Sequence, residues 1–345
     1  MARPLAKDPN RPDFAFGKVN LASGNLGAKK VFVTDEFFAP VERMLSSEEP
    51  VWKEGVYDDN GKWMDGWESR RKRDPGHDYT VIKLATFGRI VGFDINTRYF
   101  TGNYAPAISI DATYASDDTL DDAEWVEILP RTELSGNSRL FEELTDETLR
   151  SQLFSHIRVH IYPDGGVARL KVYGEPGFNW EEVSDAEEVD LAYIFHGGRA
   201  LHWSDAHFGR PDKLLWPGRG VNMGDGWETA RRRGPGYDWT VLELGHPGVI
   251  ERITLDTNHF KGNYPQFGEV LGANLGDHEG FFSETMLAQS EVWTPILPKQ
   301  KLNADQPHEF VSEIEMKTPV THVRFNIFPD GGVSRLRLFG RKAMR

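Results

Sequence analysis

The chain has 345 residues, more than one hydrophobic core usually organises, so two domains are expected. Its 53 Asp and Glu against 40 Lys and Arg give a net charge of -13, which argues against nucleic acid as a partner. There is no cysteine, so disulfides, thiolate catalysis and cysteine-built zinc sites are excluded, and the 10 tryptophans are out of keeping with general disorder.

Residues 1–12 alternate charged, proline and small residues without the apolar centre of a signal peptide, and no long apolar run follows. A cytoplasmic protein with no membrane partner is therefore expected. Short alternating or β-branched runs bounded by Gly, Pro, Asn and Asp predict strands at 80–84, 90–96, 107–114, 125–129, 157–162 and 168–173, with counterparts in the same order in the second half. Helical periodicity is confined to 36–45 and 146–154, so a parallel βαβ sheet is disfavoured. The pattern predicts an all-β chain of antiparallel jelly-roll sandwiches.

The chain repeats itself. DGWESRRKRDPGHDYTVIKL from Asp65 aligns without gaps on DGWETARRRGPGYDWTVLEL from Asp225, with 12 of 20 positions identical. NTRYFTGNY from Asn96 matches DTNHFKGNY from Asp256, and HIRVHIYPDGGVARLKVYG from His156 matches HVRFNIFPDGGVSRLRLFG from His322, with 11 of 19 identical. The offset grows from 160 to 166, so the second copy carries six extra residues before its last block. A period this long makes each copy a domain rather than a solenoid unit. We place the first at 14–175, a linker at 176–188 and the second at 189–341.

Polar positions shared by the copies form the candidate site: Glu68, Arg71, Asp78, Asn103, Arg158, Asp164 and Arg169, matched by Glu228, Arg231, Asp238, Asn263, Arg324, Asp330 and Arg335. Singly, each is explained as well by a salt bridge or a turn hydrogen bond. Together, beside Trp67/Trp227 and Tyr79/Trp239, they suggest a pocket for a small polar ligand. Pairing of the strands that flank the Pro-Asp-Gly-Gly turns would set Arg158 against Arg169 and Arg324 against Arg335, and adjacent guanidinium groups call for an anion between them. Differences matter too. Asn96 and Tyr99 become Asp256 and His259, an acid/base pair if both reach one pocket, or else a packed histidine. His202, Asp205 and His207 have spacing that a divalent metal would accept, although the specificity of that pattern is low.

The DGWE[ST], GNY and PDGGV[AS]RL motifs, each present twice and in order, resemble the allantoicase family over about residues 14–340. That resemblance implies two tandem jelly-roll, galactose-binding-like β-sandwiches, a homo-oligomer, and a hydrolase acting on C–N bonds of linear amidines. Its members convert allantoate to ureidoglycolate and urea. In such an enzyme Arg71/Arg231 and Arg169/Arg335 would hold the substrate carboxylate. Asn103, Asn263, Arg158, Arg324 and Asp256 would contact the rest of the molecule. One of Glu68, Asp78, Glu228, Asp238 and His259 would transfer protons. A divalent metal such as manganese stays open as a water activator, with its ligands unknown. The rival reading is a tandem carbohydrate-binding module whose sugars stack on Trp67, Tyr79, Trp227 and Trp239.

Overall fold

The computed structural model describes residues 11–276 and 284–343. The described chain separates into two compact units, one ending at Gly177 and the other beginning at Phe178. No helix among the described residues is long and apolar enough to cross a membrane.

Each unit is organised by one 19-residue strand, Asp78–Asn96 in the first and Asp238–Asp256 in the second. Two separate runs predicted at 80–84 and 90–96 are thus one continuous element. The first half of Asp78–Asn96 pairs antiparallel with Lys29–Val33 and Phe154–Tyr162, and Ala107–Thr113 and Val126–Glu133 extend that layer. Its second half pairs with Arg169–Pro176 and Arg139–Glu143, and Val19–Asn20 adds an edge. A strand that serves two layers in turn closes a sandwich without a separate crossover. In the second unit Arg199–Trp203, Val320–Phe328, Phe267–Ala273 and Thr294–Lys301 make the first layer, and Arg335–Lys342, Pro307–Phe310 and Val189–Asp190 the second.

The core lies between the layers because side chains alternate along a strand. In Phe154–Tyr162, Ile157, Val159 and Ile161 are fully buried, together with Ile90, Phe93, Ile95, Leu170 and Val172 of the opposite layer. Arg158, His160 and Tyr162 point outward between them.

This topology corrects one expectation. The strands flanking each Pro-Asp-Gly-Gly turn do not pair: Phe154–Tyr162 belongs to one layer and Arg169–Pro176 to the other, so Arg158 never meets Arg169, nor Arg324 Arg335. The turn is a bridge between layers. Its peptide bonds Tyr162–Pro163 and Phe328–Pro329 are cis. Gly165 and Gly331 have φ of 123° and 133°, and a Cβ on Gly166 or Gly332 would lie within 2.2 Å of the Phe100 or Phe260 ring. Only glycine fits there.

Candidate active site

The three repeated motifs, far apart in sequence, close on one another in each unit. Trp67–Glu68 pairs with Gly166–Val167, which docks the DGWE segment on the Pro-Asp-Gly-Gly bridge, and Trp227–Glu228 pairs likewise with Gly332–Val333. The bridge N–H of Gly166 donates to the Asn103 carbonyl, and that of Gly332 to the Asn263 carbonyl, both at 2.7 Å. The side-chain amide of Asn103 then donates to Glu68 Oε1 at 2.7 Å, and that of Asn263 to Glu228 Oε1 at 2.5 Å. Each motif thereby supports the next.

The basic run that follows DGWE is pinned at alternate residues. The Arg70 backbone N–H donates to Asp35 at 2.8 Å and the Lys72 backbone N–H to Asp164 at 2.8 Å, while the Lys72 ammonium lies 2.7 Å from Asp78. In the second unit Ala230 donates to Asp205 at 2.6 Å, Arg232 to Asp330 at 2.7 Å, and the Arg232 guanidinium pairs with Asp238. The residue between the pins, Arg71 or Arg231, is exposed and has no hydrogen-bond or ion-pair partner among the described residues. Asp78 and Asp238, buried and also bonded to Thr34 and Ser204, are clamps for this loop rather than proton carriers.

A cavity of about 430 Å³ opens at this place in the second unit. It is lined by Glu228 and Arg231, by Asn263, Tyr264 and Gln266, and by Asp330 of the bridge, with Phe208 at one side. Burial pushes the carboxyl of the matching first-unit residue, Glu68, up from its ordinary value, and the hydrogen bond from Asn103 offsets part of that rise. A carboxyl group with one amide partner beside a guanidinium with none can bind a small anion and move a proton near it.

The remaining predicted residues lie elsewhere. Arg169 and Arg335 are 3% and 4% exposed and are absent from the cavity lining. Arg169 donates to Asp65 Oδ2 at 2.7 Å and to the carbonyls of Glu48, Asp65 and Ala168. Arg335 holds Asp225 Oδ2 at 2.9 Å and the carbonyls of Asp225 and Ser334. They brace the first residue of DGWE from behind. Arg158 pairs with Asp111 at 2.7 Å and Arg324 with Ser290 at 2.7 Å, both on the outer side of a layer.

Asp256 and His259 do not form a pair. The Asp256 carboxylate accepts the Asn258 N–H at 2.9 Å, whereas His259 Nε2 meets the Gly220 carbonyl at 2.8 Å. His259 has φ 71° and its counterpart Tyr99 has φ 72°, so both sit at one left-handed turn that the fold needs twice. The HxxDxH spacing fails for a similar reason. Asp205 caps Ala230 and its carbonyl accepts from Trp227, while the His207 ring packs on Phe208. No group of three or more His, Asp or Glu among the described residues could hold a metal ion, so no step is assigned to manganese. Trp67 and Trp227 are fully buried and cannot stack on a sugar. Sequence reasoning missed Gln266 and Phe208. The signal for Gln266 was its replacement by Pro106 in the other copy, two residues past a shared motif.

Fold and site together define a tandem jelly-roll β-sandwich protein with a small polar-ligand cavity built from repeated loops. A family model described as the allantoicase repeat matches residues 19–177 and again 189–343. A probable allantoicase of Pseudomonas fluorescens strain SBW25 is 53% identical over 324 residues, covering 94% of this chain and 96% of that protein. One from Stutzerimonas stutzeri is 54% identical with the same coverage. The crystal structure of allantoicase from Saccharomyces cerevisiae superposes with a TM-score of 0.78 at 36% identity, over 94% of this chain and 93% of that one. The chain belongs to the allantoicase family.

Proposed function

We propose that this chain is an allantoicase, which hydrolyses allantoate to ureidoglycolate and urea, and that the second unit's cavity is its working site. The observation that carries the site assignment is the Glu228–Asn263 pair beside the unpartnered Arg231. Allantoate bears a carboxylate and two ureido groups on one carbon. The planar guanidinium of Arg231 suits the carboxylate through two parallel hydrogen bonds. A water oxygen bonds to the central carbon as the C–N bond to one ureido group breaks. Glu228 takes a proton from that water and returns one to the departing nitrogen, which leaves as urea and keeps the atoms balanced. Asn263 fixes the carboxyl group by donating to one oxygen, so the other faces the reaction.

Glu68, Asn103 and Arg71 repeat this frame in the first unit, where the carboxyl is more deeply buried. We infer that this copy contributes less to turnover. We also infer a homo-oligomer in the cytoplasm, whose subunit number light scattering of the purified protein checks, and the net charge of -13 supports the absence of a nucleic-acid partner. The direct test is urea release from allantoate, with and without chelator. Steady release that E228Q abolishes is expected, and no release from the parent chain overturns the reading.

A further inference from the structure

Two residues beyond the GNY segment the copies diverge, with Gln266 in the second and Pro106 in the first. The Gln266 N–H donates to the Phe328 carbonyl at 2.9 Å, a bond that Pro106 cannot make, but the backbone asks nothing of the side chain there. The Gln266 carbonyl accepts the Leu302 N–H at 3.0 Å, and the Pro106 carbonyl accepts the Leu134 N–H at 2.9 Å. The strands that follow, Phe267–Ala273 and Ala107–Thr113, pair with the same neighbours in both units. Yet Gln266 lines the cavity with Glu228, Arg231 and Asn263, and its amide makes no hydrogen bond among the described residues.

Several other polar groups of the cavity already have a partner or a charge that suits another group. Asn263 spends its amide on Glu228 and also approaches Met223 Sδ at 3.8 Å, Asp330 holds the Arg232 N–H, and the Arg231 cation suits a carboxylate. A neutral ligand group with both a carbonyl and an NH2 needs a neutral partner that donates and accepts in one plane. A glutamine amide has one acceptor oxygen and two N–H donors. The match is to a ureido group.

We propose that Gln266 is a specificity-determining residue that pairs with a ureido group of the substrate, an inference that rests on the cavity being the allantoate site. Pro106 has no side-chain donor or acceptor, so the first copy keeps the carboxylate and proton-transfer groups without the ureido-reading one. This separates the copies by substrate recognition rather than by their shared frame.

The test compares Q266A, Q266L and the mirror variant P106Q in the full chain, with allantoate as substrate and urea as product inhibitor. Loss of a neutral hydrogen bond to substrate raises KM about five- to tenfold and leaves kcat within about twofold, because the contact exists before and during bond breaking. Inhibition by urea weakens in parallel, Tm stays unchanged, and P106Q has no effect on KM. A merely structural glutamine would move Tm and not the urea inhibition. If KM stays within about twofold for both Q266A and Q266L while E228Q abolishes turnover, Gln266 does not read the substrate although the cavity assignment stands. If turnover survives E228Q, the cavity assignment fails and this inference fails with it.

Discussion

The two units agree where the motifs interlock and differ on the outer side of the larger layer. In the first unit that side carries an open row: His77 Nε2 to His160 Nδ1 at 2.8 Å, His160 Nε2 to Asp111 at 3.0 Å, and Arg158 to the same Asp111 oxygen. In the second unit these positions are Tyr237, Asn326, Leu271 and Arg324, and Arg324 donates to Ser290, the residue that follows Glu284–Gln289. Trp239, Leu275, Met286, Leu287 and Trp293 pack against Leu201 and Val241 there. One copy carries a half-buried titratable network on this side, and the other packs apolar side chains there. A duplicated fold keeps what the backbone needs in both copies, whereas a solvent-facing layer is free to diverge because little packing depends on it.

The largest expected effect tests whether the shared frame works equally in both copies. E228Q lowers kcat by about 100-fold or more, the range for losing a general acid or base, while E68Q lowers it less than about threefold. Equal losses in urea release would erase the functional difference between the copies. Next come the bracing arginines, which the comparison places among the shared features. R169A and R335A each strand a mostly buried aspartate and cost about 3 kcal/mol of stability in chemical denaturation. A much smaller cost in one copy would mean that its brace is dispensable.

The smallest effect concerns the outer row. Burial first, then His160 and Lys72, hold His77 below the ordinary imidazole value of 6.5. Asp78 opposes them and Arg131 adds to them, while Asp111 and Arg158 flank the far end. A lowered folded value means that the stabilisation is complete above about pH 6.5 and is lost as pH falls through the folded value. Two protonated rings also cannot share the hydrogen bond between them. Tm should therefore fall by roughly 2–4 °C between pH 7 and pH 5 from this source. The double variant H77Y/H160N, which installs the second copy's residues, should flatten that slope, and an unchanged slope would assign the acid sensitivity elsewhere.

Much of this was legible in the chain. Alternation in 157–162 gave the buried face, because one period of two serves any half-buried strand. The duplicated motifs marked Glu68/Glu228, Arg71/Arg231 and Asn103/Asn263, and the structure brings those together. The same filter also marked Asp78/Asp238 and Arg169/Arg335, since a loop clamp and a buried brace are as indispensable to a repeated fold as a ligand contact. Repetition cannot separate the two demands. Burial and partner count do: both terminal nitrogens of Arg335 are bonded to protein, and Arg231 has no such bond among the described residues.

By itself, then, the sequence determined two all-β copies and which loops matter, through periodicity and repeated turn residues that act over a few neighbours. Only the tertiary structure decided that the Pro-Asp-Gly-Gly turn crosses between layers, that Asp256 and His259 take separate partners, and that Gln266 enters the cavity. Those depend on which strand the 19-residue element pairs with at each end, a choice made by packing between residues far apart in the chain.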